Sequence, residues 1–153
     1  MKKINKIIIE HIPDYDADLD WIGTFDNEPK SEFAIEHDVG NPQTYSWFNP
    51  QNGAVENKKQ AKEDYKRMLA YENGDWGMIG IKATAEVYTS QNGREWKIDK
   101  ITSGGLWGIE TDSSLEYKIE VEKDEEADLF ETLKEFGFTD KDFIGVVYEY
   151  KRN

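Results

Sequence analysis

Ile79, Ile81, Ala83, Ala85 and Val87 recur at every second position between 77 and 89. That period of two constrains the fold more than any other feature of the chain. Side chains alternate across a strand, so the spacing presents one apolar face that must be covered. The pair Asn92-Gly93 follows, within Gln91-Asn92-Gly93, and accepts positive φ cheaply. Residues 95–102 are expected to return as the partner strand, with Trp96, Ile98 and Lys100 on one face. Gly104-Gly105 is expected to form a bend or bulge, and 106–109 to continue as a third strand.

A helix is expected over 56–72. Ala61, Tyr65, Met68 and Leu69 form its apolar stripe, and Asn73-Gly74 supplies its stop. Farther on, two signals conflict. Ser113-Ser114-Leu115-Glu116 fits a capping box, which starts a helix. Yet Leu115, Tyr117, Ile119 and Val121 alternate with charged residues, as in a strand. Residues 124–136 are helical through Leu129, Phe130, Leu133 and Phe136, with Gly137 as the stop. Shorter strands are expected at 4–10 (ended by Pro13), 21–25, 33–36, 44–48 and 143–150. The run at 44–48 is closed by Asn49-Pro50 and Asn52-Gly53. The fold class is therefore α+β: an antiparallel sheet centred on 77–110, with two main helices, about 56–72 and 113–136, packed on it. No composition shift or linker marks a boundary, so one domain over 1–153 is expected.

The chain has no cysteine among its 153 residues, which excludes disulfides, thiolate metal sites and a cysteine nucleophile. Ile7-Ile8-Ile9 is too short for a signal-peptide core, and no run approaches a membrane span. A cytoplasmic protein is expected. With 32 acids against 19 bases the formal charge is −13, which disfavours direct binding to nucleic acid or to an anionic membrane. The charge is segregated. Ten acids and one lysine lie between Glu10 and Asp38, and thirteen acids and four lysines between Glu110 and Asp142. The stretch from Glu56 to Lys100 is close to neutral.

Motifs of chemistry are few. Asp14, Asp16, Asp18 and Asp20 resemble the opening of a calcium loop. Either register, however, lacks the turn glycine and the closing glutamate. His11 and His37 have no zinc spacing and are expected to be surface or core histidines, although each has an aspartate near in sequence. Ser103-Gly104-Gly105 lacks the flanks of a phosphate cradle. No cofactor, metal or catalytic residue is assigned. Trp47, Trp76, Trp96 and Trp107 are expected mostly in the core, and Trp21 as an exposed anchor. If the region from Glu116 is helical, Glu116, Glu120, Asp124, Asp128, Glu131 and Glu135 share one stripe. Neighbours four apart lie about 6 Å apart along the axis, close to the spacing of phosphates along a strand. A solvated acidic face that keeps the protein soluble is the simpler account of the same stripe.

The stretches 71–87 (YENGDWGMIGIKATAEV) and 103–113 (SGGLWGIETDS) resemble a family of small acidic proteins of bacteriophages and bacterial mobile elements. The segments 18–23 (DLDWIG) and 45–50 (YSWFNP) fit it as well. The resemblance carries no catalytic residues. It implies an accessory product acting in an infected or element-bearing bacterium, and it tips the segment after Ser113 toward helix. The expected function is a stoichiometric inhibitor of a host defence nuclease, of anti-CRISPR or anti-restriction type. Its expected partner is a basic nucleic-acid-binding protein such as a CRISPR effector or restriction enzyme. The expected contacts are Asp14, Asp16, Asp18, Asp20, Trp21, Glu116, Glu120, Asp124, Asp128 and Glu131. The alternative is a non-enzymatic interaction module that uses an aromatic surface.

Overall fold

The computed structural model describes residues 1–38, 40, 42, 44–51 and 58–152. Along the chain run β1 (Lys2–Pro13), β2 (Gly23–Asp26), β3 (Ile35–Glu36), β4 (Trp47–Pro50), α1 (Lys58–Glu72), β5 (Met78–Thr89), β6 (Lys97–Thr102), β7 (Leu106–Glu110), α2 (Leu115–Glu135), a 3-10 turn (Asp140–Phe143) and β8 (Val147–Lys151). The class is α+β, as expected. The chain forms two compact units. Met1–Tyr15 and Met78–Asn153 make the first, and Asp16–Gly77 makes the second.

In the first unit β5 is the central strand. It pairs antiparallel with β1 along its length, Ile7 opposite Ala85 and Ile9 opposite Ala83. Its odd-numbered residues do what the period of two requires. Ala83, Ala85 and Val87 bury with Ile4, Ile7 and Ile9 against Leu129, Leu133 and Phe138, while Ile79 and Ile81 bury with Ile109 against Val121. Fully burying each Val, Ile, Leu or Phe side chain among them contributes about 1.5–3 kcal/mol, so this shared core dominates the unit. On the opposite face two rows of alternating charge flank the buried pair Ile8 and Thr84. One cross-strand row reads Val147, Lys6, Glu86, Lys100, and another reads Lys151, Glu10, Lys82. Lys6 pairs with Glu149 at 3.0 Å and Lys82 with Glu10 at 3.8 Å.

Several expectations change. β7 is not a strand beside β6. Both pair with the same edge of β5, β6 along Thr84–Thr89 and β7 along Met78–Ile81, with Gly104-Gly105 as the break between them. The return strand begins at Lys97 and not at 95, because 90–96 is a loop held by Ser90 and Asn92. Trp96 therefore lies outside the sheet and is 44 % exposed, contrary to its expected place in the core. Trp107 is likewise exposed, lying over Gly80 on the face that α2 does not cover. Trp76 is buried and Trp47 half-buried. The last strand begins at Val147, after the 3-10 turn, and runs parallel to β1, not antiparallel. α2 supplies the crossover that a parallel neighbour needs.

The conflict after Ser113 resolves to helix. The cap is Ser114, one residue later than the box suggested, and its hydroxyl accepts from the Tyr117 amide at 3.2 Å. The alternating Leu115 and Tyr117 stay exposed. Burial follows the helical set Val121, Glu122, Leu129 and Leu133 instead. At the C-terminal end the Gly137 and Phe138 amides donate to Lys134 and Leu133, and the Lys2 ammonium donates to the Phe136 carbonyl.

In the second unit β4 pairs with β2 and β3. Asn49-Pro50 lies inside β4 and does not close it. The Asn49 side chain instead ties down the neighbouring loop, accepting from Lys30 N and donating to Glu28 O. α1 packs Ala61, Tyr65 and Met68 inward. Phe48 is fully buried, stacked on Tyr65 at 5.4 Å and tilted against Phe25 at 5.4 Å. The expected start of this helix at 56 and the turn at Asn52-Gly53 lie outside the described residues.

Gly80 offers a direct test of the sheet. A β-carbon there would stand 2.1 Å from the Trp107 ring. Gly80→Ala is expected to destabilise the protein by about 1–3 kcal/mol, read as a lower urea midpoint. The cost should shrink in a Trp107→Ala background, where the ring is gone.

Candidate functional site: the acidic face of the long helix

α2 carries nine carboxylates against three lysines. Helical periodicity sorts those carboxylates into two populations. Four turn toward the sheet or its flanks and are bound there. Glu122 is buried; its Oε2 accepts from His11 Nε2 at 2.8 Å and from Arg152 Nε at 2.7 Å, and its Oε1 accepts from an Arg152 terminal nitrogen at 2.6 Å. Glu126 accepts from the Tyr148 hydroxyl at 2.8 Å, and Glu125 from the Ser103 hydroxyl at 2.9 Å. Asp128, although exposed, accepts from the Gly104 amide at 3.1 Å.

The remaining five, Glu116, Glu120, Asp124, Glu131 and Glu135, are exposed. Among the described residues none of them forms an ion pair, although lysines share the helix. Lys118 donates to the Thr111 carbonyl and Lys134 reaches Asp140 at 3.5 Å. The expected stripe is thus a real surface. Asp128 belongs to it by position but is tied to Gly104. With about 1.5 Å of rise per residue, the row from Glu116 to Glu135 extends about 28 Å.

The other predicted contacts sit elsewhere. Asp14 lies in the first unit, half-buried, and its Oδ2 accepts from the Gly108 amide at 3.1 Å. Asp16, Asp18 and Asp20 are exposed in the second unit, and Asp18 Oδ1 accepts from the Asp20 amide at 2.8 Å, a local turn. Trp21 belongs to that unit too and is 51 % exposed. Among the described residues no group of three histidines or acids could hold a metal ion, and no helix is long and apolar enough to cross a membrane.

Ser103-Gly104 has the donors of an anion cradle, a hydroxyl and an amide, but Glu125 and Asp128 of the same chain occupy them. The Ser103 hydroxyl also accepts from the Ala83 amide at 2.9 Å.

Both histidines are in the core. His37 meets the Tyr65 hydroxyl at 2.7 Å and the Pro42 carbonyl at 2.8 Å. A carbonyl only accepts, so Nε2 carries the hydrogen. Burial raises the Tyr65 phenol above its usual range. His11 is held by Glu122, a partner 111 residues away, and no spacing signal in the sequence links the two. Burial would push the Glu122 carboxyl up, but the Arg152 fork and the His11 hydrogen bond outweigh it and hold the group below the usual carboxylate range.

Comparison of the chain with protein-family models, with curated proteins and with solved structures returned no match in any of the three. The resemblance to phage-encoded proteins rests on the quoted motifs alone.

A group whose pKa is depressed by folding stabilises the protein above its unfolded pKa, about 4.3 for glutamate, and loses that contribution as pH falls. Arg152→Met leaves Glu122 buried with His11 as its remaining side-chain partner, and is expected to cost about 3 kcal/mol at neutral pH. The gap from the parent protein, measured by urea unfolding, should close as pH falls below about 4. A gap that stays constant to pH 3 would assign the loss to packing alone.

Proposed function

We propose that the protein acts by stoichiometric binding, laying the solvent face of α2 against a basic groove of a partner protein in place of a nucleic-acid strand. The observation that carries this is the row of five exposed carboxylates on one helix, none of them in an ion pair among the described residues. Neighbours four apart repel, each pair costing a few tenths of a kcal/mol in an isolated helix. A partner rich in Lys and Arg relieves that repulsion on contact, and the field of the row steers encounter. Supported by the phage-like motifs, the proposed setting is the bacterial cytoplasm, and the partner a CRISPR effector or a restriction enzyme inhibited by occupancy of its nucleic-acid channel.

An aromatic surface is the second candidate, because Ile98, Leu106 and Trp107 stand exposed on β6 and β7 and Trp96 in the loop before them.

Calorimetric titration against a panel of such nucleases separates the two. Glu120→Gln, Asp124→Asn and Glu131→Gln together should raise stability by about 0.5–1 kcal/mol and abolish binding, while parent binding weakens with added salt. Unchanged binding by the triple variant, with loss on Trp107→Ala, would favour the aromatic surface. No complex with any member of the panel would remove the nuclease-inhibitor assignment.

A further inference from the structure

Two Asn-Gly pairs lie among the described residues, and the structure restrains their asparagine side chains differently. In a flexible chain, asparagine before glycine is the pair most prone to spontaneous loss of its side-chain amide, because glycine has no β-carbon to hinder its own nitrogen. Asn92 is restrained. Its Oδ1 accepts from the Arg94 amide at 2.9 Å and the Glu95 amide at 3.0 Å, and the Gly93 amide donates to the Ser90 hydroxyl at 2.8 Å. Three amides following one another along the loop are thereby held, and the Asn92 side chain is pinned in an Asx turn.

Asn73 ends α1. It is exposed, and among the described residues its side-chain amide has no hydrogen-bond partner. Its backbone is held by last-turn bonds, Asn73 N to Leu69 O at 2.9 Å and Gly74 N to Tyr71 O at 3.0 Å, with Gly74 at φ +80°. Helix ends open most readily, and each opening frees both the Gly74 nitrogen and the Asn73 side chain.

We infer that Asn73 is a site of covalent self-modification, converted to aspartate and isoaspartate, and that Asn92 is protected from the same reaction. The Gly74 amide nitrogen gives its proton to water or hydroxide and attacks Asn73 Cγ. The bond from Cγ to the side-chain nitrogen breaks, ammonia leaves, and a five-membered imide forms. Water then opens the ring, giving aspartate by addition at Cγ or isoaspartate by addition at the backbone carbonyl. The net reaction consumes one water and releases one ammonia, with no oxidant or reductant.

The consequence is local. A new carboxylate stands at the negative end of α1. Isoaspartate also inserts a methylene into the main chain, just before the bonds that lock the cap. These are Asp75 N to Ala70 O at 2.9 Å, and Trp76 Nε1 to Arg67 O at 2.9 Å beneath the Arg67 guanidinium.

The test needs only the full chain. It is aged at mildly alkaline pH, digested with trypsin and analysed by mass spectrometry, so that peptide 68–82 reports Asn73 and peptide 83–94 reports Asn92. In native protein, conversion in 68–82 should exceed that in 83–94 by about fivefold or more, the factor that one retained hydrogen bond represents. In urea the two rates should converge, since both are Asn-Gly. Ser90→Ala should speed Asn92 without changing Asn73. Equal native rates, or faster conversion at Asn92, would overturn the inference.

Discussion

A carboxylate withdrawn from water must be paired, and Glu122 is paired from two different strands. His11 comes from β1 and Arg152 from just past the end of β8, and both reach a side chain on α2. Left alone, such a group would cost several kcal/mol. The three elements therefore hold one mutual position or share that penalty. The parallel placement of β8 beside β1 puts Arg152 on the α2 side of the sheet, in phase with Tyr148 and Tyr150. Tyr148 reaches α2 through Glu126, and the Arg152 guanidinium lies 4.4 Å from the centre of the Tyr150 ring.

The same logic divides the acids of α2. Those at the flanks of the packed face, Glu125, Glu126 and Asp128, find donors on the sheet side: a hydroxyl, a phenol and a backbone amide. Those on the far side are exposed. One helix is thus fastened by acids along both margins of its buried stripe and left strongly negative along its crest. Fastening the helix also fixes the backbone that carries the crest.

Much of this was legible in the sequence. The period of two in β5 determined a strand with one covered apolar face, because alternation is a property of the backbone and needs no knowledge of the partner. The stripe in α1, the stop at Gly137 and the segregation of charge followed from local spacing in the same way. What spacing could not arbitrate was the segment after Ser113, where helix and strand signals overlapped. The core settled it, since the helical set buries Val121, Leu129 and Leu133 while a strand would have alternated through Leu115 and Tyr117.

By itself, then, the sequence determined an α+β chain with a covered β5 and, once α2 is helical, an acidic crest. Only the tertiary structure decided that β8 runs parallel, that β7 prolongs β6 and that Trp96 and Trp107 face out. It alone also showed that His11 is a partner of Glu122. The reason is range. Periodicity records which face of an element is apolar, whereas the pairing of a buried histidine with a glutamate 111 residues away depends on where two elements meet in space. A single buried hydrogen bond leaves no repeating mark in the chain.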